Sequence, residues 1–178
     1  IYVNEAFPCS HRTHASVSEI TKHISSFGGH QLIEELNVIK MLTESTKRPA
    51  TCIIGGSKIS TKSGVIINLI KKMQNIIIVG AMANIFIKYK GHNIGKSIFE
   101  KDQENLIEKI IKESKKNNCN LLLPEDVVTS KNHDSKGLLK NLDDINDEDL
   151  ILDVGEKTLK NITKIIDESK TVLWNGPA

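Results

Sequence analysis

From Pro49 onward the chain alternates between short, almost wholly apolar runs and longer segments in which apolar residues recur every three or four positions. The apolar runs are Ala50–Ile54, Ile76–Val79, Leu121–Leu123, Leu150–Val154 and Thr171–Trp174, with a further candidate at Asp126–Val128. Helical spacing fills most of the intervals, whereas residues 130–148 are predicted to be a polar loop. Short strands that are apolar on both faces and alternate with helices indicate an α/β fold with a parallel sheet covered on both sides.

The segment before Pro49 has a different character. A short strand is predicted at the start, and residues 5–28 are rich in Ser, His, Gly and Thr and predict loop with one short helix. Apolar residues at helical spacing then predict a helix from Gly29 to about Glu44, which Arg48-Pro49 terminates. We therefore expect residues 1–28 to end one domain, 29–48 to form an interdomain helix and 49–178 to form a second domain. The first and last residues both fall against predicted strands, so we expect both ends to be internal to a longer protein.

Composition excludes several classes of protein. The 178 residues are 39% hydrophobic and 26% charged, which is typical of a globular protein, and the net charge of +2 favours neither nucleic acid nor membrane as a partner. Aromatic residues make up only 4%, which argues against stacking on single-stranded nucleic acid. Three widely spaced cysteines do not resemble a disulfide framework, and they favour a cytoplasmic location.

Four predicted strand ends carry residues suited to a ligand, because open parallel sheets bind ligands beyond the carboxyl ends of their strands. These ends are Gly55-Gly56-Ser57-Lys58 with Lys62 following, Gly80-Ala81, Asp153-Val154-Gly155, and Asn175-Gly176-Pro177. Glycines let backbone N–H groups approach a phosphate, a helix start favours an anion, and two lysines four residues apart can face one phosphoryl group. The alternative is a tight turn with solvated lysines. Neither GxGxxG nor GxxxxGK[ST] occurs in the sequence.

The segment Cys9–His14, which contains His11 and Arg12, leaves three interpretations open. Its Cys and His residues suit zinc, although no second cluster of matching spacing occurs. Arginine with a neighbouring histidine also suits a carboxylate or phosphate. The third interpretation is a polar surface loop. Asp153, at a strand end, is predicted to cap the following helix rather than to act as an acid or base.

Six segments, in order along the whole chain, together resemble the phosphoglycerate kinase family. Tyr2–Phe7 and His11–Ser16 resemble YVNDAF…HRAHAS, Gly55–Lys62 resembles GG[AS]KVxxK, Gly80–Phe86 resembles GGGMANTF, Leu123–Val128 resembles LPxDVV, Leu152–Thr158 resembles LDIGPKT, and Trp174–Pro177 opens WNGPxGxFE. Among the departures, Glu5 stands for Asp, Pro8-Cys9-Ser10 for Gly-Thr-Ala, and Ala81 for Gly. None of these departures removes a charged catalytic group.

The resemblance implies a monomeric glycolytic enzyme with two α/β lobes that close by a hinge. Its C-terminal lobe would be a Rossmann-like parallel sheet that binds ADP or ATP with Mg²⁺, and its N-terminal lobe would bind 3-phosphoglycerate or 1,3-bisphosphoglycerate. By resemblance, Arg12 and His11 bind phosphoglycerate, Lys58 contacts nucleotide phosphate, and Lys62 contacts the phosphoryl group in transfer. The nucleotide site would be completed by Gly55, Gly56, Ser57, Gly80, Ile98, Leu152, Asn175 and Pro177.

The resemblance also implies that parts of the site lie outside these 178 residues. The family's magnesium-holding Asp, in its GGGDT loop, follows the last residue, so no metal ligand is predicted within the chain. We therefore expect the chain by itself to bind nucleotide weakly and to be inactive as a kinase. The alternative is a non-catalytic nucleotide-binding α/β module. The presence of four charged or ionisable candidates, His11, Arg12, Lys58 and Lys62, argues against that alternative.

Overall fold

A computed structural model of the chain describes residues 1–132 and 134–178, apart from the side chain of Thr43. These residues form two compact units, Ile1–Thr46 and Lys47–Ala178. Each unit has its own secondary structure and is described by itself.

The first unit consists of two short parallel strands and one long helix. Strand β1 (Tyr2–Asn4) pairs with β2 (Ser26–Gly28), and three short helical turns lie between them at Phe7–Cys9, Ala15–Glu19 and Ile20–Lys22. Helix α1 spans His30–Glu44, which confirms the predicted helix. The Glu5 carboxylate accepts hydrogen bonds from the backbone N–H groups of Gln31 and Leu32, at 2.8 and 3.3 Å, and so caps this helix. Strand β2 was not predicted, because three residues are too few to show a period.

The second unit contains the remaining elements. In chain order they are β3 (Ala50–Ile54), α2 (Ile59–Ile70), β4 (Asn75–Ile78), α3 (Ala81–Tyr89), α4 (Glu104–Lys116), β5 (Asn120–Leu122), β6 (Asp126–Ser130), β7 (Leu138–Asn141), β8 (Leu150–Val154), α5 (Glu156–Glu168) and β9 (Thr171–Asn175). The predicted α/β class and most of the predicted helices and strands are confirmed.

A four-stranded parallel sheet with the order β5-β4-β3-β9 forms the centre of the second unit. Successive side chains of β3 point to opposite faces of the sheet and pack in two different hydrophobic cores. Ile54 packs with Ile66 of α2 and Phe86 of α3 in the larger core, whereas Ile53 packs with Ile162 of α5 in a smaller one. Helices therefore cover both faces, and this is why β3 is apolar throughout and buried at all five positions.

A second sheet corrects part of the prediction. Strands β7, β6 and β8 form a three-stranded antiparallel sheet, so the runs at Asp126 and at 150–154 do not belong to the parallel sheet. The predicted polar loop 130–148 is also wrong in part, because it contains β7 and a 3₁₀ turn at Leu142–Asp144. Short apolar runs carry no information about strand direction. Strand β7 was missed because its two leucines are adjacent and both exposed, so it lacks the alternation of apolar and polar residues that indicates a strand.

Two buried aspartates accept hydrogen bonds at the second sheet, one from the neighbouring helix α5 and one from within the sheet and the loop before β8. Asp126, at the start of β6, accepts hydrogen bonds from the backbone N–H groups of Lys157 and Thr158, at 2.9 and 2.7 Å, and thereby caps α5. Asp149, just before β8, accepts one from the Lys140 ammonium at 2.6 Å and one from the Asn146 backbone N–H at 2.9 Å. In the described part of the chain, no helix is long and apolar enough to cross a membrane.

Candidate functional site

The crevice between β3 and β9 is the point where the strand order of the parallel sheet reverses. From β3 the chain continues through β4 to β5 on one side, and β9 is added later on the other side. Open α/β sheets bind ligands at the carboxyl ends of strands at such a reversal. Gly55 follows β3 there, and Asn175 ends β9 opposite Ile54. The structure thus brings together two strand ends that lie far apart in the sequence.

The backbone at this crevice is packed so closely that only glycine fits. A Cβ atom placed on Gly55 would lie 1.7 Å from the carbonyl oxygen of Pro177, and one on Gly80 would lie 2.9 Å from the same atom. Gly56 and Gly80 also have φ values of +127° and +67°, which other residues rarely adopt. The ends of β3, β4 and β9 therefore meet backbone to backbone.

Lys58 and Lys62 supply the positive charge of this region. Lys58 precedes the first residue of α2, and Lys62 lies one turn further along the helix. The two lysines line an open cavity of about 470 Å³ with Gly56, Ser57, Thr61, Gly80, Pro177 and Ala178. Since no acidic side chain is among these lining residues, the cavity is suited to an anion.

The Lys62 ammonium bridges the two strand ends. Its Nζ atom donates hydrogen bonds to the carbonyl oxygen of Gly55 and to Oδ1 of Asn175, both at 2.8 Å. Gly176 leaves room for it, because a Cβ atom there would lie 2.8 Å from Nζ. The ammonium is therefore held at a defined position at the floor of the crevice.

The N-terminus of α2 is already bound to a protein carboxylate, which corrects one sequence argument. Glu100 accepts hydrogen bonds from the Ser60 hydroxyl and backbone N–H at 2.5 and 3.0 Å, and these bonds hold the pKa of Glu100 below its usual value. The start of this helix therefore offers less to an incoming anion than its position after a glycine turn suggests. The positive charge comes from the two lysine side chains.

Ile98 and Leu152, which are predicted to flank a nucleoside, lie on different elements: Ile98 is in the loop between α3 and α4, and Leu152 is on β8. Leu152 is on β8 of the antiparallel sheet and lines a small cavity together with Gly80 and Asn84. Ile98 is 70% exposed, and its carbonyl oxygen accepts a 2.9 Å hydrogen bond from the Asn84 side chain. On either side of Ile98, the Ser97 hydroxyl accepts a hydrogen bond from β8 and the Glu100 carboxylate accepts one from α2.

Sequence reasoning missed Asn84, Ser97 and Glu100 as supports of this region. Asn84 is 2% exposed, and its Oδ1 atom has no hydrogen-bond partner among the described residues. Two signals were available, since Asn84 lies within the Gly80–Phe86 motif and Glu100 follows Ile98 by two residues. Their partners, however, are remote in sequence and could not be inferred from it.

Two other groups of predicted residues lie on separate elements. Asp153-Val154-Gly155 lies at the end of β8, outside the parallel sheet, and Asp153 does not cap α5, since its carboxylate accepts the N–H of Val154 at 2.8 Å. His11 and Arg12 belong to the first unit, where both are exposed after a 3₁₀ turn. In residues 1–132 and 134–178, no three His, Cys, Asp or Glu side chains are grouped to hold a metal ion.

Comparison with known proteins gives consistent results. The family model described as phosphoglycerate kinase matches residues 1–178. The phosphoglycerate kinase of Wolbachia pipientis subsp. Culex pipiens (strain wPip) is 45% identical over 178 residues, which are 99% of this chain and 45% of that protein. The phosphoglycerate kinase of Finegoldia magna is 40% identical over 179 residues, with the same coverage. The chain therefore spans about 45% of the length of these relatives.

Solved structures agree with the fold. Phosphoglycerate kinase from Coxiella burnetii superposes with a TM-score of 0.88 at 32% identity, covering 98% of this chain and 46% of that one. The enzyme from Pyrococcus horikoshii OT3 has the same fold, with a TM-score of 0.79 at 20% identity over 98% of this chain and 45% of that one. The chain belongs to the phosphoglycerate kinase family.

Proposed function

We propose that this chain is the part of a phosphoglycerate kinase that carries much of the nucleotide site. The reaction would be reversible phosphoryl transfer between the acyl phosphate of 1,3-bisphosphoglycerate and ADP, giving the carboxylate of 3-phosphoglycerate and ATP. The observation that carries this proposal is the cationic crevice, in which Lys58 and Lys62 line a cavity whose floor is glycine backbone. Family membership over the whole chain supports it.

The crevice is suited to phosphoryl transfer because such transfer depends mainly on positioning and on stabilising charge. The Lys62 ammonium is fixed by two hydrogen bonds, and Lys58 is exposed beside it. We assign Lys58 to a nucleotide phosphate and Lys62 to the phosphoryl group in transfer. The glycines at 55, 56 and 80, with Ser57, Asn175 and Pro177, would form the walls around the phosphates.

The nucleoside would lie towards Leu152 and Ile98, and Leu152 lines a small cavity together with Gly80. Mg²⁺ bound to the nucleotide would neutralise part of the phosphate charge. We assign none of its ligands to the described residues. In the first unit, we assign Arg12 and His11 to the phosphoglycerate, because guanidinium pairs well with carboxylate and phosphate.

We also propose that the protein is monomeric and works in the cytoplasm. Cys9, Cys52 and Cys119 are all unpaired, and this fits a reducing compartment. The thiols of Cys52 and Cys119 are buried, and burial raises the pKa of Cys52 to about 12 and that of Cys119 to about 11. Both thiols are therefore poor nucleophiles and are suited to a structural role in the core.

The test is a chimera in which residues 1–178 replace the aligned segment of the full-length Finegoldia relative. We expect this chimera to phosphorylate 3-phosphoglycerate with ATP, and the double variant Lys58→Ala/Lys62→Ala to lose that activity. Lys71→Ala, which removes an exposed lysine at the other end of α2, is the matched control and should leave it unchanged. Circular dichroism would verify folding of each variant. A folded chimera that binds ADP without any transfer would overturn the proposal in favour of a non-catalytic module.

A further inference from the structure

Among the described residues, the Lys62 ammonium makes two hydrogen bonds, which leaves one of its N–H groups without a partner there. A lysine ammonium has three N–H groups and accepts no hydrogen bond. Two of its N–H groups are directed to the carbonyl oxygen of Gly55 and to Oδ1 of Asn175, each at 2.8 Å. These acceptors lie at the ends of neighbouring strands β3 and β9, so they also fix the ammonium in space. The third N–H remains for a ligand in the crevice.

We propose that Asn175 is a positioning residue that acts through Lys62, aiming this remaining donor at a phosphoryl oxygen. The inference rests on the proposed function, because it takes Lys62 as the cation beside the group in transfer. It differs from the role that family resemblance gives Asn175, which is contact with the nucleotide itself. In the structure, the amide oxygen of Asn175 is directed at the lysine.

The choice of a neutral acceptor follows from charge. A carboxylate at position 175 would hold the ammonium equally well but would cancel the positive charge that the phosphoryl group requires. An amide oxygen orients the ammonium and leaves the charge intact. Backbone shape supports the same role, since Gly176 has φ +91° and a Cβ atom there would lie 2.8 Å from Nζ. At the end of β9, Asn175 therefore binds the ammonium and Gly176 leaves space for it.

Fixing the position of the Lys62 ammonium should stabilise the transition state more than it stabilises the complex with bound nucleotide. A preorganised donor requires no rearrangement when negative charge spreads over the moving phosphoryl oxygens. A lysine released from Asn175 still contributes its charge to binding, but its direction is no longer fixed. Loss of Asn175 should therefore lower kcat and change KM for nucleotide much less.

The test is a double-mutant cycle between Lys62 and Asn175 in the chimera described above. Asn175→Ala should lower kcat by about tenfold or more, the typical effect of losing a hydrogen bond to a charged group, with KM for ADP within about threefold. In the Lys62→Ala background the same substitution should change kcat by less than about twofold, because the residue through which it acts is gone. Asn175→Asp should also lower kcat, although it keeps an acceptor at this position.

The matched control is Asn120→Ala. Asn120 is an exposed asparagine on β5, the edge strand opposite β9 in the same sheet, and its replacement should leave kcat unchanged. If the kcat losses of Lys62→Ala and Asn175→Ala multiply, or if Asn175→Ala mainly raises KM for ADP in both backgrounds, Asn175 contacts the nucleotide directly and the inference is wrong.

A second readout does not depend on activity. In ¹⁵N-lysine NMR of the chimera, the Lys62 ammonium, identified by its disappearance in Lys62→Arg, should exchange its protons slowly. Exchange should accelerate in Asn175→Ala and stay slow in Asn120→Ala. An inactive chimera with this result would contradict the proposed function and leave the positioning of Lys62 by Asn175 supported. Equal exchange rates in the unsubstituted protein and in Asn175→Ala would overturn the inference.

Discussion

The Oδ1 atom of Asp126 accepts a 2.6 Å hydrogen bond from the hydroxyl group of Thr158, inside the second unit of the protein. Asp126 is 4% exposed and Thr158 is 1% exposed. The same carboxylate accepts the backbone N–H groups of Lys157 and Thr158, so it caps α5 from a strand that precedes it by some thirty residues. This one carboxylate therefore joins the antiparallel sheet to a helix that covers the parallel sheet.

Replacing Asp126 by Asn should destabilise the protein. The substitution removes the charge and directs an amide N–H₂ group at one of three donors, leaving a buried donor unpaired. We expect a loss of about 2 kcal/mol in the free energy of unfolding, measured by urea denaturation. Asp153→Asn on β8 is the control, because Asp153 is exposed, and it should change stability by less than about 0.5 kcal/mol. Equal effects of the two substitutions would show that the cap contributes little.

Stability should fall in acid because of the two buried aspartates. Burial by itself raises the pKa of Asp126, but the hydrogen bonds from Thr158 and Lys157 outweigh it, so the pKa lies below its usual value. The pKa of Asp149 is likewise lowered, because the Asn146 N–H and Lys140 outweigh the effect of burial.

A carboxylate with a lowered pKa in the folded state contributes stability above its unfolded-state pKa of about 3.9, and loses that contribution as the pH falls through the folded-state pKa. We expect the free energy of unfolding to decline from about pH 5 downward. Asp126→Asn should have a shallower decline than the unsubstituted protein. Parallel pH profiles for the two proteins would contradict this assignment.

Gly55 and Gly64 provide a matched pair of alanine substitutions. Gly55→Ala places a Cβ atom 1.7 Å from the carbonyl oxygen of Pro177, so backbone must move, and we expect a destabilisation of about 2–3 kcal/mol. Gly64→Ala in α2 meets no atom within 4 Å and should stabilise the protein by about 0.5–1 kcal/mol through its higher helix propensity. Thermal denaturation of both variants would measure this, and a neutral Gly55→Ala would disprove the close approach.

Lys62→Ala should affect turnover more than nucleotide binding. Removing a preorganised group that stabilises charge in a transition state typically lowers turnover by about 10²–10³-fold. We expect that reduction in kcat for the chimera, with a much smaller change in KM for ADP. Lys62→Arg should restore little activity, because a planar guanidinium cannot place one donor on each of Gly55 and Asn175 as the compact ammonium does. Near-normal kcat with a raised KM in steady-state kinetics would make Lys62 a binding residue.

The sequence by itself determined the elements that depend on local pattern. The apolar runs at β3, β4 and β9 and the helical spacing of α1 and α2 identified those elements, because burial on both faces or on one stripe leaves a period in the sequence. The glycine and lysine residues of the crevice were also identifiable, since parallel strands collect their carboxyl ends at one edge of the sheet.

Only the tertiary structure decided which elements pair and which side chains support them. Strand β8 has the apolar pattern of a parallel strand but pairs antiparallel with β6, because pairing depends on contacts that a local period does not record. For the same reason Asp126, rather than the adjacent Asp153, caps α5, and Glu100 caps α2. The position of the Lys62 ammonium likewise depends on Asn175, which lies on a different strand and which only the folded sheet brings within hydrogen-bonding distance.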